Sequence, residues 1–98
     1  MRYQIDNTTV DTDEAWQSWG EGIRYYGPSA VSLATGFPTM HEQLHRTREN
    51  KYYTLSWTDW LGASPRSAKW ISEEGAADWL LANGHEVPES IKAALEES

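Results

Sequence analysis

The sequence contains no cysteine and no long apolar run. Without cysteine, disulfide bonds and thiolate metal sites are excluded. No stretch approaches the roughly 18 consecutive apolar residues that a transmembrane helix needs. Residues 1–6 also lack the apolar segment of a secretory signal peptide. We therefore expect a cytoplasmic protein with no membrane partner.

Basic residues are scarce and unevenly placed. The 98 residues hold 15 acids and 8 bases, giving a formal net charge of −7. Residues 1–40 carry five acids and two bases, residues 41–72 three and five, and residues 73–98 seven and one. Duplex nucleic acid is disfavoured as a partner because phosphate neutralisation needs a basic surface. The acidic ends suit a partner that is itself basic, such as a nucleic-acid-binding protein, or serve only solubility.

The length and a hydrophobic fraction of 39% fit one domain over residues 1–98. Alternation of apolar and polar residues predicts several strands, the clearest being a central hairpin with a polar turn at 48–51. The predicted strands cover 1–6, 31–35, 40–47, 52–57 and 68–71, with a loop over 58–67. The short spacing of the middle strands disfavours parallel pairing, which needs helical crossovers.

Helical patterns occur near both ends of the chain. Asp11 can cap a short helix that presents Trp16 and Trp19 on one face and ends near Trp19–Gly22. Ser72 caps a second helix that Gly84 stops, and Pro88 opens a third. The fold class is therefore α+β: a small, mostly antiparallel sheet of four to five strands, packed against one N-terminal and two C-terminal helices.

The most specific motif is His41-Glu42-Gln43-Leu44-His45, which matches H-E-x-x-H. On a helix, two histidines at this spacing bind one zinc ion and the glutamate serves as general base. Glu74, in an E-x-x-x-D pattern like that of thermolysin-like metallopeptidases, is the candidate third ligand. A minimal zinc peptidase is therefore one alternative function.

The peptidase interpretation requires a helix where the alternation predicts a strand. On a strand, His41 and His45 would lie about 13 Å apart on one face, too far to share a metal ion. A helix starting after Pro38 would have only Met40 and Leu44 on its apolar face. We therefore predict no catalytic residue, no metal ligand and no cofactor.

Tryptophan is abundant, with six residues in 98. Trp16 and Trp79 fit helix faces that point into the core. Trp57 and Trp60 stand at a strand end and in a loop, and tryptophan is a preferred anchor at protein interfaces. They are candidates for an exposed binding surface, although all six rings could instead belong to the core.

Basic and aromatic residues also meet near the turn of the central hairpin. Arg46, Arg48 and Lys51 lie beside Tyr52, a combination that suits the backbone and bases of single-stranded nucleic acid. Three charges are few, and the rest of the molecule repels phosphate. A solvated hairpin is the simpler interpretation, and nucleic-acid binding stays a second alternative.

Several segments carry a resemblance to a known group of proteins. The matching segments are Glu42–Thr47, Lys51–Tyr53, Trp57, Trp60, Ala68–Ser72, Glu74–Leu80 and Asn83–Pro88. Over most of its length the chain resembles a group of short, uncharacterised bacterial proteins. The resemblance implies a bacterial origin and a single stand-alone domain, and it implies no activity.

The leading hypothesis is a non-enzymatic protein-binding module with an aromatic and partly acidic surface. Its predicted surface residues are Trp57, Trp60, Tyr52, Arg46 and Arg48. The expected partner is another protein, basic or associated with nucleic acid, or a second copy of the chain. Antitoxins, immunity proteins and phage-type inhibitors are small acidic proteins of this kind.

Overall fold

The computed structural model describes residues 2–58 and 66–96. These residues form eight antiparallel strands, one 3-10 turn at Thr12–Glu14 and two α-helices. The strands are β1 (Arg2–Ile5), β2 (Thr8–Asp11), β3 (Gln17–Trp19), β4 (Ile23–Tyr26), β5 (Ser29–Ser32), β6 (Met40–Arg46), β7 (Tyr52–Thr58) and β8 (Ser67–Ile71); the helices are α1 (Glu73–Ala82) and α2 (Glu89–Glu96). The α+β class and the antiparallel pairing are confirmed.

The centre of the molecule is a four-stranded sheet in the order β3-β6-β7-β8. The predicted hairpin forms its middle, with β6 and β7 paired from Met40–Thr58 to Arg46–Tyr52. In the turn, Asn50 adopts a positive φ of 64°, which asparagine tolerates better than most residues. Because side chains alternate along a strand, each face of this hairpin receives every second residue.

One face of the sheet packs on the C-terminal helices. Leu44 and Tyr52 of the hairpin meet Trp79 and Leu80 of α1 and Ile91 of α2 in one buried cluster. The opposite face packs on the β1–β2 hairpin, where Ile5, Val10 and Tyr53 form a second cluster. The sheet is therefore covered on both faces, which explains why a chain of this size encloses two separate apolar clusters.

The ends of α1 follow the predicted capping. The Ser72 hydroxyl accepts a hydrogen bond from the Gly75 amide at 3.0 Å. At the other end Gly84 has a φ of 79°, and the amides of Gly84 and His85 donate to the carbonyls of Leu81 and Leu80. This is a Schellman motif, in which a left-handed glycine lets the chain satisfy the last helical carbonyls.

The predicted N-terminal helix is wrong. Asp11 does cap, because its Oδ1 accepts from the Asp13 amide at 3.0 Å, but the chain makes only a single 3-10 turn. Residues 17–19 then extend as β3 and pair with β6, with Gln17 opposite Arg46. Hydrogen bonding to the edge of the central sheet outweighs the helical spacing of the tryptophans, which the glycines at 20 and 22 already weaken.

A second hairpin, β4–β5, was missed, and the strand predicted over 31–35 is displaced. The strand β5 ends at Ser32, and residues 33–35 form a turn. Gly27, at a φ of 61°, and Pro28 join β4 to β5 in a two-residue turn. Glycine with positive φ at the first turn position is typical of a type II′ hairpin. The sheet of four to five strands is thus one four-stranded sheet and two separate hairpins.

Neither described helix is long and apolar enough to cross a membrane.

Candidate functional site

The H-E-x-x-H motif lies entirely within strand β6. His41 and His45 occupy the face of β6 opposite to Glu42, so the helical arrangement of a zinc peptidase is not formed. The His41 Nδ1 lies 2.9 Å from Glu21 Oε1, and the His45 Nδ1 lies 2.7 Å from the Ser18 hydroxyl. Within residues 2–58 and 66–96, no group of three or more His, Asp or Glu side chains is placed to hold a metal ion.

The Glu42 carboxylate is engaged in hydrogen bonds within the fold. Its two carboxylate oxygens accept hydrogen bonds from the Trp79 indole at 2.7 Å and from the Ser56 hydroxyl at 3.0 Å. Charged acceptors make stronger hydrogen bonds than neutral ones. Glu42 therefore ties the sheet to α1, while Glu74, the proposed third zinc ligand, is exposed on α1.

Arg46 and Tyr52 are buried, which contradicts their prediction as exposed binding residues. Their exposed fractions are 8% and 3%. The Arg46 guanidinium donates to Asn50 and Gln17 and lies 4.6 Å from the centroid of the Trp16 ring. The alternation along the two strands could not show that the ring of Trp16, thirty residues before Arg46, lies against the Arg46 guanidinium.

The other predicted surface residues have different surroundings. Arg48 is exposed at the hairpin turn, where it lines a cleft of about 310 Å³ together with Asp11, Lys51 and Trp70. Trp57 is half-buried, with His41 stacked on its ring at 5.6 Å and Arg66 at 4.7 Å. Trp60 lies outside the described residues, as does most of the loop predicted over 58–67.

The remaining tryptophans divide between core and surface. Trp79 is buried, as predicted, and Trp19 packs half-buried against the same cluster. Trp70 packs against the second cluster. Trp16 is 60% exposed, so its prediction as a core residue is wrong. The structure thus assigns most of the described indole rings to packing.

The largest group of exposed apolar side chains surrounds the β4–β5 hairpin. Eight large hydrophobic residues are exposed in the described chain, and six of them fall between residues 23 and 40. We call these six the hairpin surface: Ile23, Tyr25, Tyr26, Leu33, Phe37 and Met40. Exposed apolar residues grouped in this way mark interaction sites more often than scattered ones do.

The segment that follows β5 folds back against the base of this hairpin. The Leu33 amide donates to the Gly22 carbonyl at 2.9 Å, and the Ser32 amide donates to the Phe37 carbonyl at 3.3 Å. The Thr35 hydroxyl donates to the Met40 carbonyl at 2.7 Å. These bonds hold residues 33–40 against the base of the β4–β5 hairpin.

The hairpin surface is almost free of charge. Between residues 22 and 40 the only charged residue is Arg24, whereas the whole chain has 23 charged side chains. This gap in the charge pattern, combined with Ile23, Tyr25 and Tyr26 beside a glycine-proline turn, is a sequence signal that could have identified the surface.

Comparisons with models of protein families, with curated proteins and with solved structures give no match to this chain.

Proposed function

We propose that this chain is a non-enzymatic protein-binding module of bacterial origin that contacts its partner through the hairpin surface. The observation that carries the proposal is the exposure of all four β4 residues, three of them large and apolar, on a hairpin outside the central sheet. Apolar side chains in water are destabilising by roughly 25 cal/mol per Å², a cost that a partner would remove. Tyrosine is also enriched at the energetic centres of interfaces.

The exposed acidic residues of the C-terminal helices support a basic partner. Exposed carboxylates occur along and beside α1 and α2, at Glu73, Glu74, Asp78, Glu86, Glu89 and Glu96. Lys92 is the one base among residues 73–96. Such a face attracts a basic protein over a distance and raises the association rate, while the apolar surface supplies the contact. This division of roles fits the antitoxin, immunity or inhibitor class.

The test compares three immobilised proteins: the parent chain, a Tyr25→Ser/Tyr26→Ser variant and a Leu81→Ser control. Leu81 is 65% exposed on α1, so the control removes exposed apolar area at a residue that is not part of the hairpin surface. A partner captured by the parent is then purified and its affinity for all three proteins is measured by calorimetry. We expect at least tenfold weaker binding for the tyrosine variant and no change for Leu81→Ser.

Two results would contradict the proposal. Equal affinity for the parent and the tyrosine variant would show that the hairpin surface is not used. Failure of the parent chain to capture any protein would remove the protein-binding function itself.

A further inference from the structure

Strand β4 has one paired edge and one free edge. The pairs with β5 run from Tyr26–Ser29 at the turn to Ile23–Ser32 at the base. In an antiparallel ladder, pairs that exchange hydrogen bonds alternate with pairs that do not. The two-residue turn makes Tyr26–Ser29 a bonded pair. Gly22 lies four residues before Tyr26, and its carbonyl accepts a hydrogen bond from the Leu33 amide, as the same alternation requires.

The backbone groups of Ile23 and Tyr25 therefore point away from β5. No backbone or side-chain group of the described residues bonds to them, and both residues are more than half exposed. A row of free amide and carbonyl groups on a strand is a template for one further strand. At Ile23 and Tyr25 the template is flanked by large apolar side chains, which favour contact with a neighbouring strand.

Arg24 stands at the centre of this edge and decides what can pair with it. An antiparallel strand places one residue directly opposite Arg24, with side chains close together. In the register that bonds Ile23 of one copy to Tyr25 of a second copy, that residue would be Arg24 of the second copy, and opposed like charges are destabilising. An aspartate or glutamate at this position gives an attractive pair. The charge of Arg24 therefore disfavours a second copy in that register and favours a strand with a central carboxylate.

We propose that the free edge of β4 binds an extended segment of a partner protein, which adds as an antiparallel strand and carries an acidic residue opposite Arg24. Apolar β-branched residues on either side of the carboxylate would face Ile23 and Tyr25. This inference rests on the proposed protein-binding function and specifies its mode, β-strand addition. A basic partner remains compatible, because its overall charge acts at long range and the carboxylate only on contact.

The probe is the peptide acetyl-Ser-Thr-Val-Glu-Val-Thr-Ser-amide, matched with the same peptide carrying Lys in place of Glu. Amide chemical shifts of the full chain are followed by NMR up to about 1 mM peptide, where even an affinity of that order is visible. We expect the Glu peptide to shift the amides of Ile23 and Tyr25. It should bind about fivefold more tightly than the Lys peptide, and Arg24→Glu should reverse the preference.

A second pair of variants separates the backbone from the side chain. Tyr25→Pro removes the outward amide, which an edge strand tolerates, whereas Tyr25→Val keeps it and preserves strand preference. We expect loss of peptide binding for Tyr25→Pro and at most a threefold change for Tyr25→Val. If Tyr25→Pro does not fold, the reversal by Arg24→Glu still tests the proposal.

Three outcomes would overturn strand addition: no shift at Ile23 and Tyr25, no preference for Glu over Lys, or concentration-dependent shifts of β4 without peptide, which would indicate a second copy. Failure of the proposed function gives a different result, because a partner would then bind the unchanged chain and the Tyr25→Ser/Tyr26→Ser protein equally tightly. A partner that still binds the Tyr25→Pro protein but not the Tyr25→Ser/Tyr26→Ser protein would exclude strand addition and leave the hairpin surface as the binding site.

Discussion

At the scale of single residues, Glu42 illustrates how a motif with catalytic spacing can serve packing. Its carboxylate accepts from the indole of Trp79, which is 9% exposed, and from Ser56 on the neighbouring strand. The indole N–H has no other hydrogen-bond partner among the described groups. Removing the acceptor would leave this donor unpaired in the core, which is costlier than the hydrogen bond itself.

We therefore predict that Glu42→Ala lowers the free energy of unfolding by about 2–3 kcal/mol. Glu42→Gln keeps an acceptor at the same place and should cost about 1 kcal/mol or less. Urea denaturation followed by tryptophan fluorescence measures both, with Glu74→Ala as the exposed control. Equal losses for the Ala and Gln variants would contradict a hydrogen-bonding role.

His45 is a buried histidine with one unsatisfied nitrogen. It is 4% exposed, its Nδ1 faces the Ser18 hydroxyl, and its Nε2 has no hydrogen-bond partner. Burial penalises the charged imidazolium and lowers the pKa of His45 below its ordinary value of 6.5. Between the lowered pKa and about 6.5, the unfolded chain therefore binds more protons than the folded protein does.

The linkage predicts that His45 makes the protein less stable as the pH falls below about 6.5. Other groups also titrate, so the measurement is the difference in unfolding free energy between the parent and His45→Gln from pH 7.5 to 5. The parent should lose more stability than the variant over this range. A constant difference would show that His45 does not titrate differently in the two states.

At the scale of elements, a glycine and an asparagine join the β4–β5 hairpin to the end of α1. The Asn83 side chain accepts from the Gly22 amide at 2.9 Å and donates to the Trp79 carbonyl at 2.8 Å. A Cβ at position 22 would lie 2.7 Å from Leu33 Cδ1 and 2.8 Å from the Asn83 carbonyl oxygen. The backbone carbonyl cannot move without disturbing the helix end.

Gly22→Ala should therefore destabilise the protein by about 1–3 kcal/mol through overpacking. Gly20→Ala is the matched control, because a Cβ there meets no atom within 4 Å and should change stability by about 0.5 kcal/mol at most. Thermal denaturation of both variants provides the comparison. Equal melting temperatures of the Gly22→Ala and Gly20→Ala variants would mean that the contact between Gly22 and the end of α1 can relax without loss of stability.

The elements also show where sequence patterns are informative. The central hairpin and α1 were predicted because their signals are local: alternation with a polar turn, and a serine cap with a glycine stop. The strand β3 was missed because its pairing partners in β6 lie 25 to 29 residues away, and the three-residue segment carries no alternation of its own. Arg46 and Tyr52 were misassigned for the same reason, since a distant residue determines whether a sheet face is covered.

At the scale of the whole molecule, charge and exposed apolar surface are segregated. Six exposed acidic residues lie on or beside the two helices, whereas the six residues of the hairpin surface carry no charge and Arg24 is the one charged residue between positions 22 and 40. Under the proposed function, the acidic residues would attract a partner and the hairpin surface would contact it. The segregation also explains why a chain with a net charge of −7 can present an apolar surface.

The same segregation predicts that salt stabilises the fold. The exposed carboxylates of α1 and α2 repel one another. Among these carboxylates, Glu89 is the one with an ion pair, to Lys92 at 3.8 Å. Raising the ionic strength shortens the screening length from about 10 Å at 0.1 M to about 3 Å at 1 M, so the free energy of unfolding should rise over that range in NaCl.

A Glu86→Lys/Glu96→Lys variant changes the net charge by four, from −7 to −3. It also removes an acid from the last turn of α2, where a negative charge opposes the helix dipole. The variant should be about 0.5 kcal/mol more stable at low salt and respond less to NaCl. An equal salt response of the two proteins would show that repulsion between the helices does not limit stability.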